Sequence, residues 1–167
     1  YENEEKHFWF IGRNRIIETV VNQIFKKKSR STFLEIGCGT GIVLRHLEKM
    51  GLTVAGIEMH KSGLEYARMR TKAKLYCSDS RKIKLTKKYD AVGMFDVIEH
   101  INKDDEMIYD SLRFVKKGGY LFITVPAFQF LWSKSDDYAK HKRRYTKKSL
   151  KLLLENNGYK VVKISYF

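Results

Sequence analysis

The chain has little proline, little cysteine and no long apolar run. Its single proline, Pro126, follows a predicted strand, and no low-complexity tract or linker divides the sequence. The two cysteines, Cys38 and Cys77, form neither a metal-ligand spacing nor a disulfide framework, so we expect no metal site. Two thiols of this kind are typical of a reducing compartment and predict a cytoplasmic protein. Since no apolar stretch approaches the length of a bilayer span, we expect no transmembrane segment.

Acidic residues are also scarce, at 19 against 33 lysines and arginines, which gives a net charge of +14. Such a charge can give the protein affinity for RNA, for an anionic membrane surface or for a phosphorylated substrate. It can also belong to a lysine-rich surface that keeps the protein soluble. Most lysines stand in scattered pairs, which favours the solubility interpretation. Apolar residues make up 43% and aromatic residues 13% of the 167 positions. These values exclude a disordered chain and indicate one globular domain.

The most informative stretch is the segment 32–41, TFLEIGCGTG. Apolar and β-branched residues lead into three glycines at alternate positions, and an amphipathic segment follows at once. This pattern predicts a buried strand, a tight turn and the start of a helix. Glycines are needed in such a turn because a side chain would keep a ligand away from the backbone. The helix N-terminus behind the turn favours an anionic ligand group.

The spacing of the glycines narrows the ligand. A dinucleotide fingerprint needs glycine or alanine at position 42, where this chain has Ile42. The pattern E-x-G-x-G-x-G instead resembles the motif of class I S-adenosylmethionine-dependent methyltransferases, specifically the type 11/12-like small-molecule enzymes. The resemblance implies S-adenosyl-L-methionine as cofactor, with its methionine portion held by the acid and the loop, which here are Glu35, Gly37, Cys38, Gly39 and Gly41.

Strands alternate with helices along the chain. Hydrophobic periodicity predicts strands at 32–36, 52–57, 73–77, 91–95, 120–125 and 159–166, and helices at 2–25, 42–50, 62–70, 104–115 and 147–156. This order predicts an α/β fold with a doubly wound, mostly parallel sheet of the Rossmann-like methyltransferase type. The family fold carries a further antiparallel strand that is missing after the sixth, and the chain starts at Tyr1, so we expect the full protein to be longer.

The resemblance implies one methyltransferase domain over residues 1–167. Within it we expect an N-terminal helical lid at 1–30, a cofactor-binding core at 31–125 and an acceptor-side segment at 126–167. The lid prediction rests on the aromatic segment 7–10 and Arg13, which resemble the N-terminal helix that covers the cofactor in related enzymes. Aromatic clusters are more often part of a core, and that alternative stays open.

Further candidates follow the second and third predicted strands, where ligands of open α/β sheets bind. Glu58 stands where an acid accepts hydrogen bonds from ribose hydroxyls, and its neighbour Met59 is a candidate to pack on the adenine ring. By resemblance, Asp79 accepts the adenine amino group, with Ser80 beside it. Ordinary turn roles are the alternative for all four residues.

The segment 94–101, MFDVIEHI, follows the fourth predicted strand. It is similar to the acidic Asp-x-x-Glu-His segment that borders the methyl-transfer pocket in the family. The resemblance places Phe95 next to the methionine arm of the cofactor. Glu99 or His100 is a candidate to orient or deprotonate the acceptor, because imidazole titrates near neutrality. A helix cap is the alternative interpretation.

The region between the fifth strand and the last helix is where the family builds its acceptor site. Its candidates for substrate binding are Trp132, His141, Arg143, Arg144 and Tyr145. An arginine pair with a tyrosine suits an acceptor that carries a carboxylate or phosphate. A basic run on the surface is the equally weighted alternative.

The resemblance implies transfer of a methyl group to an oxygen, nitrogen or carbon atom of a small-molecule or lipid-type acceptor. The cofactor is already activated, so the protein mainly aligns the reactants and no metal is needed. Three other functions remain open: an RNA methyltransferase, which the charge allows, an NAD(P)-dependent oxidoreductase, and a non-catalytic S-adenosylmethionine-binding protein. The sequence does not predict an oligomeric state.

Overall fold

The computed structural model describes residues 4–25 and 31–167. Its helices are α1 (Phe8–Phe25), α2 (Ile42–Lys49), α3 (Lys61–Arg70), α4 (Asp104–Ser111), α5 (Lys134–Ala139) and α6 (Lys147–Asn156). Its strands are β1 (Thr32–Ile36), β2 (Thr53–Glu58), β3 (Lys74–Cys77), β4 (Tyr89–Phe95) and β5 (Val115–Thr124). Parts of the predicted lid, at 1–3 and 26–30, lie outside the described residues.

The five strands form one parallel sheet in the order β3-β2-β1-β4-β5. The central strand β1 pairs with β2 on one side and with β4 on the other, so Glu35 lies level with Gly56 and Gly93. The chain order reverses between β1 and β4, and a crevice for ligands forms at such a reversal, beyond the carboxyl ends of the strands. The predicted α/β fold with a doubly wound sheet is confirmed.

Helices cover both faces of the sheet, and each face has its own apolar cluster. On one face α1 and α2 pack against β1 and β2 through residues such as Val21, Leu44 and Leu47. On the other face α4 and α6 pack through Ile108 and Leu150. The central strands are therefore buried on both sides, as expected for a parallel sheet. In the part of the chain that the structure describes, no helix is long and apolar enough to cross a membrane.

The predicted sixth strand, 159–166, is wrong. This segment has no regular secondary structure and pairs with no strand of the described sheet. Its side chains hold it elsewhere: the hydroxyl of Tyr159 lies 2.7 Å from that of Ser111, and the hydroxyl of Tyr166 accepts a 3.0 Å hydrogen bond from the Lys147 backbone N–H. A cavity of about 190 Å³ separates the segment from β5.

Other elements also differ from the prediction. Residues 4–7 of the helix predicted over 2–25 are not helical, since α1 begins at Phe8, and β5 begins at Val115 rather than at residue 120. The helix expected over 104–115 ends at Ser111, and a 3-10 turn, Leu112–Phe114, leads directly into β5. Helix α5 stands in a region where the periodicity predicts only a loop. It begins with a capping box. The Ser133 hydroxyl accepts a hydrogen bond from the Ser135 backbone N–H, and the Asp136 carboxylate accepts one from the Ser133 backbone N–H.

Candidate active site

Two clefts open at the carboxyl ends of the strands, and both touch Gly37, Asp96 and Ala139. The first, here called the glycine-loop cleft, measures about 680 Å³ and contains most of the predicted residues of the methionine and acceptor sides: Glu35, Gly37, Cys38, Gly39, Phe95, Glu99, His141 and Arg144. The second, here called the strand-end cleft, measures about 630 Å³ and contains Glu58, Met59, Asp79, Ser80 and His100. The fold thus brings most of the predicted site together.

The three glycines of the loop have different physical roles. All have positive φ, at +73° for Gly37, +49° for Gly39 and +75° for Gly41. A Cβ on Gly37 would lie 2.7 Å from Val97 Cγ2, and one on Gly41 would lie 2.9 Å from the Cβ of Ala67. No described atom lies within 4 Å of a Cβ built on Gly39. The outer glycines therefore permit close packing, while Gly39 leaves open space beside the backbone.

Glu35 lies under this loop at the carboxyl end of β1. Its side chain is buried, and no described group donates a hydrogen bond to Oε2. Burial raises the pKa of Glu35 to about 8, although the charge of Arg13 opposes the shift. The neighbouring Cys38 is also buried, and burial raises the pKa of its thiol, so that thiol stays protonated. A buried carboxyl oxygen without a hydrogen-bond donor is a candidate to receive a cationic ligand group.

Glu58 connects the two clefts. Its Oε2 accepts a 3.0 Å hydrogen bond from the Gly39 backbone N–H, and its Oε1 accepts one of 2.8 Å from the His60 backbone N–H. The carboxylate therefore fixes the middle of the glycine loop, and Glu58 also lines the strand-end cleft. Met59 is 60% exposed at the wall of that cleft.

Asp79 and Ser80 lie on the opposite wall of the strand-end cleft. The Asp79 carboxylate accepts hydrogen bonds from the Arg81 guanidinium at 2.7–3.2 Å, and these bonds lower its pKa. Ser80 is buried and its hydroxyl lies 3.7 Å from the sulfur of Met107. The predicted adenine contact at Asp79 stays a prediction, and it requires the carboxylate to share its oxygens between Arg81 and a ligand.

Arg13 and Asp96 form an ion pair where the two clefts meet. The sequence analysis did not predict this pair. Asp96, directly after β4, has φ +55° and accepts hydrogen bonds from Arg13 of α1 and from the Thr124 hydroxyl, the latter at 2.8 Å. The N-terminal region makes a second contact with the site: Glu4 accepts a 2.7 Å hydrogen bond from the hydroxyl of Thr40 in the glycine loop. The N-terminal segment thus touches the cofactor side, which is compatible with the predicted lid.

Glu99 lies at the bottom of the glycine-loop cleft in a 3-10 turn, Ile98–His100. The residue is 0% exposed, and neither carboxylate oxygen has a hydrogen-bond partner among the described residues. Burial, reinforced by the charge of Asp96, raises its pKa to about 8. Phe95, just before this turn, stacks on Phe33 with ring centroids 6.4 Å apart and belongs to the core as well as to the cleft wall.

The two histidines predicted for the site lie side by side. The ring centroids of His100 and His141 are 4.7 Å apart in an edge-to-face arrangement. The segment that carries His141 is fixed to the Glu99 turn, because the Lys142 backbone N–H donates a 2.7 Å hydrogen bond to the Glu99 carbonyl. Burial lowers the pKa of His100, and the neighbouring His141 lowers it further.

Asp136 lines the glycine-loop cleft and is a residue that the sequence analysis missed. It is 1% exposed, and its carboxylate lies 2.9 Å from His141 Nδ1 and accepts two 2.8 Å hydrogen bonds from the Arg144 guanidinium. The bonds from Arg144 lower the pKa of Asp136. The pattern Ser133-x-x-Asp136 is a capping-box signature, and it could have revealed both this residue and helix α5.

The remaining acceptor-side candidates are largely engaged within the protein. Arg143 donates 2.8 Å hydrogen bonds to Asp104 and to the Asn102 carbonyl. The buried Tyr145 hydroxyl also donates to Asp104, at 2.8 Å. Trp132 donates to Asp137 through its indole N–H at 2.9 Å and does not line either cleft. Of this group, His141 and Arg144 face the glycine-loop cleft.

A parallel sheet in this strand order, with a glycine loop at its switch point, is the doubly wound arrangement of Rossmann-like folds. The sequence model of a family described as methyltransferase domain matches residues 9–164. The chain therefore belongs to the methyltransferase-domain family, and the predicted resemblance to class I S-adenosylmethionine-dependent methyltransferases is confirmed.

Known proteins agree with this family. The ubiquinone biosynthesis O-methyltransferase of Pelagibacter ubique is 29% identical over 119 residues, which cover 68% of this chain and 50% of that protein. The chain thus spans about half the length of this curated relative. The fold is shared with magnesium protoporphyrin IX methyltransferase from Synechocystis with bound SAH (TM-score 0.75, 15% identity, 92% of this chain and 76% of that one). It is also shared with phosphoethanolamine N-methyltransferase 2 of Haemonchus contortus (TM-score 0.71, 19% identity, 88% and 36%).

Proposed function

We propose that this chain is the catalytic domain of an S-adenosylmethionine-dependent methyltransferase that acts on a hydroxyl group of a small, largely apolar molecule. The observation that supports the cofactor most directly is the open face of Gly39 beside the orphaned Glu35 oxygen. A nucleoside carrying an amino-acid ammonium group fits this pair, because the loop admits close contact and the buried carboxyl gains a cationic partner. Glu58, Met59, Asp79 and Ser80 would hold its ribose and adenine in the strand-end cleft.

The bound cofactor supplies a methyl group on a positively charged sulfur. The protein then has two tasks: it aligns an acceptor atom with that methyl group, and it removes the proton of a hydroxyl acceptor as the new C–O bond forms. Glu99, His100 and His141 are titratable side chains gathered at the place where this proton leaves. Aromatic side chains at the cleft, Trp9, Phe10, Tyr166 and Phe167, suit the body of an apolar acceptor.

An anionic acceptor has less support than the sequence suggested. Arg144 is neutralised by Asp136 and Arg143 by Asp104, while Glu4, Glu35, Asp96 and Glu99 add acidic groups to the glycine-loop cleft. A carboxylate or phosphate would have to displace one of these internal ion pairs. The name of the ubiquinone biosynthesis O-methyltransferase relative agrees with an oxygen atom as the acceptor. The expectation of a cytoplasmic protein is kept as a proposal, based on the two free cysteines.

Formation of S-adenosylhomocysteine over an acceptor panel tests this function. The panel should contain apolar phenols and long-chain alcohols, their carboxylated or phosphorylated counterparts, and RNA. We expect turnover with neutral hydroxyl acceptors and much slower turnover with the anionic counterparts. Turnover confined to anionic acceptors or to RNA would contradict the proposed acceptor class, and cofactor binding without any turnover would favour a non-catalytic binding protein.

A further inference from the structure

The fold gathers three side chains with metal-binding chemistry at the junction of the two clefts. One carboxylate oxygen of Glu99 and one ring nitrogen each of His100 and His141 lie within 4.8 Å of one another. In a tetrahedral zinc site, neighbouring ligand atoms are about 3.3 Å apart, given metal–ligand bonds of about 2.0–2.2 Å. A small rotation of the exposed His100 side chain would shorten the remaining distance.

The buried carboxylate is an independent sign that a ligand is missing. Glu99 is 0% exposed, yet neither of its oxygens accepts a hydrogen bond from a described residue. Buried carboxylates are normally paired, hydrogen-bonded or bound to a metal, because leaving one alone costs free energy. The two imidazoles next to Glu99 do not hydrogen-bond to it in the described structure, so the group is arranged around a common point without internal pairing.

A second contact holds His141 in the manner of a metal ligand. His141 Nδ1 lies 2.9 Å from Asp136, which is itself fixed by Arg144 and by the Ser133 backbone N–H. Because Nδ1 contacts Asp136, Nε2 is the ring nitrogen of His141 that can coordinate a metal ion. Metal-binding histidines almost always have one ring nitrogen fixed in this way by a carboxylate or a carbonyl.

From this arrangement we propose that Glu99, His100 and His141 bind a divalent transition-metal ion of the Zn²⁺ type. Two imidazoles and one carboxylate favour such an ion over Mg²⁺ or Ca²⁺, which prefer sets of oxygen ligands. Glu99 and His141 line the glycine-loop cleft, so a remaining coordination position faces the space assigned to the acceptor. This proposal departs from the sequence-based expectation that no metal is involved.

Such an ion would select acceptors that carry a hydroxyl group able to coordinate it. A metal ion lowers the pKa of a coordinated hydroxyl and can hold it in a fixed orientation. The hydroxyl would lose its proton to water and the resulting oxyanion would be the nucleophile. This use of the ion rests on the proposed function, whereas the binding of the ion does not.

Titration with Co²⁺ tests the site without any methyl donor or acceptor. Protein stripped with EDTA is titrated with Co²⁺, visible absorption is recorded, and Zn²⁺ is then added as competitor. We expect saturable absorption of a low-coordinate Co²⁺ site that Zn²⁺ removes. His100→Ala and His141→Ala should each weaken binding at least about 10-fold, and Asp136→Asn should weaken it by roughly 10–100-fold as a positioning residue.

His60→Ala is the matched control, because this histidine borders the strand-end cleft but lies outside the cluster. It should leave Co²⁺ binding unchanged. Unchanged thermal unfolding of the two histidine variants shows that they fold. Absence of Co²⁺ absorption in the wild-type protein would overturn the proposal and leave these residues as a metal-free acid–base group. Binding that survives either histidine variant would overturn the three-ligand assignment.

Discussion

At the scale of single residues, a comparison of two glycines separates the effect of backbone strain from the effect of contact with a ligand. Gly39 and Gly51 both have positive φ, and both have open space where a Cβ would stand. Only Gly39 lines the glycine-loop cleft. The two positions therefore form a pair that is matched for backbone strain and differs in contact with a ligand.

We expect Gly39→Ala and Gly51→Ala to lower the free energy of unfolding by similar amounts, about 1–2 kcal/mol each, because both impose a left-handed conformation on alanine. Only Gly39→Ala should weaken S-adenosylmethionine binding, because its methyl group occupies the space of the ligand. Chemical denaturation and calorimetry measure the two effects. Equal cofactor affinity of both variants would show that Gly39 does not face the cofactor.

Glu35 links cofactor binding to pH. Its pKa in the folded protein, about 8, lies above the ordinary value of 4.5. The folded state thus favours the protonated carboxyl, and its contribution to stability is full below about pH 4.5 and is lost as the pH rises through 8. We expect Glu35→Gln to flatten the decrease of the unfolding free energy over this range. Glu65→Gln, on the exposed side of α3, should leave the pH dependence unchanged.

The same carboxyl predicts a proton release. A cationic ammonium group close to Glu35 favours the ionised form, so binding of S-adenosylmethionine at pH 7 should release a proton. Calorimetry in two buffers with different ionisation enthalpies measures this release. A binding enthalpy that is the same in both buffers would contradict the placement of a cationic group at Glu35.

At the scale of elements, Arg13 couples α1 to the sheet. Its guanidinium is buried and pairs with Asp96 at the end of β4, where the backbone has a positive φ. We expect Arg13→Ala to lower the unfolding free energy by about 1–3 kcal/mol, because Asp96 loses a charged partner. It should also speed dissociation of the cofactor if α1 is the predicted lid.

Arg15→Ala on the same helix is the control, because Arg15 is exposed. It should change stability by less than about 0.5 kcal/mol. Denaturation and stopped-flow displacement of the cofactor measure both variants. Equal effects of the two substitutions would show that the Arg13–Asp96 pair does not hold α1 to the site.

Elements with a strong periodic signal were predictable from the sequence. The helix predicted over 147–156 coincides with α6, Lys147–Asn156, because a capping Thr146 and a following Gly158 define both ends. Helix α5 was missed because its six residues are too few for an apolar period. The segment 159–166 has the composition of a strand, but pairing depends on a neighbour, and the contacts of Tyr159 and Tyr166 with α4 and α6 decide its course.

The site was predictable to the extent that motifs are local. Glu35, Gly37, Gly39 and Glu58 follow from the position of strand ends, and they lie in adjoining clefts, whereas Gly41 lines neither cleft. The ion pairs of Arg143 and Arg144 were not predictable, because their partners Asp104 and Asp136 come close to them only in the folded chain. The same holds for the group of Glu99, His100 and His141, whose members come from two loops 41 positions apart.

At the scale of the whole molecule, the charge is unevenly distributed. The chain carries a net charge of +14, yet the glycine-loop cleft contains the carboxyl groups of Glu4, Glu35, Asp96, Glu99 and Asp136. The positive charge therefore lies mainly outside the cleft and does not by itself indicate an anionic acceptor. Since burial raises the pKa values of Glu35 and Glu99 to about 8, a cationic cofactor in this cleft would favour their ionised forms.

The most direct test of the central claim is calorimetry of the wild-type chain with S-adenosylmethionine, S-adenosylhomocysteine and NAD. We expect saturable heat with the first two ligands and none with NAD, because the loop after β1 fits an amino-acid-bearing nucleoside and Ile42 replaces the third glycine of a dinucleotide site. Binding of NAD together with no heat from S-adenosylmethionine or S-adenosylhomocysteine would contradict the assignment of the cofactor and, with it, the proposed methyl transfer.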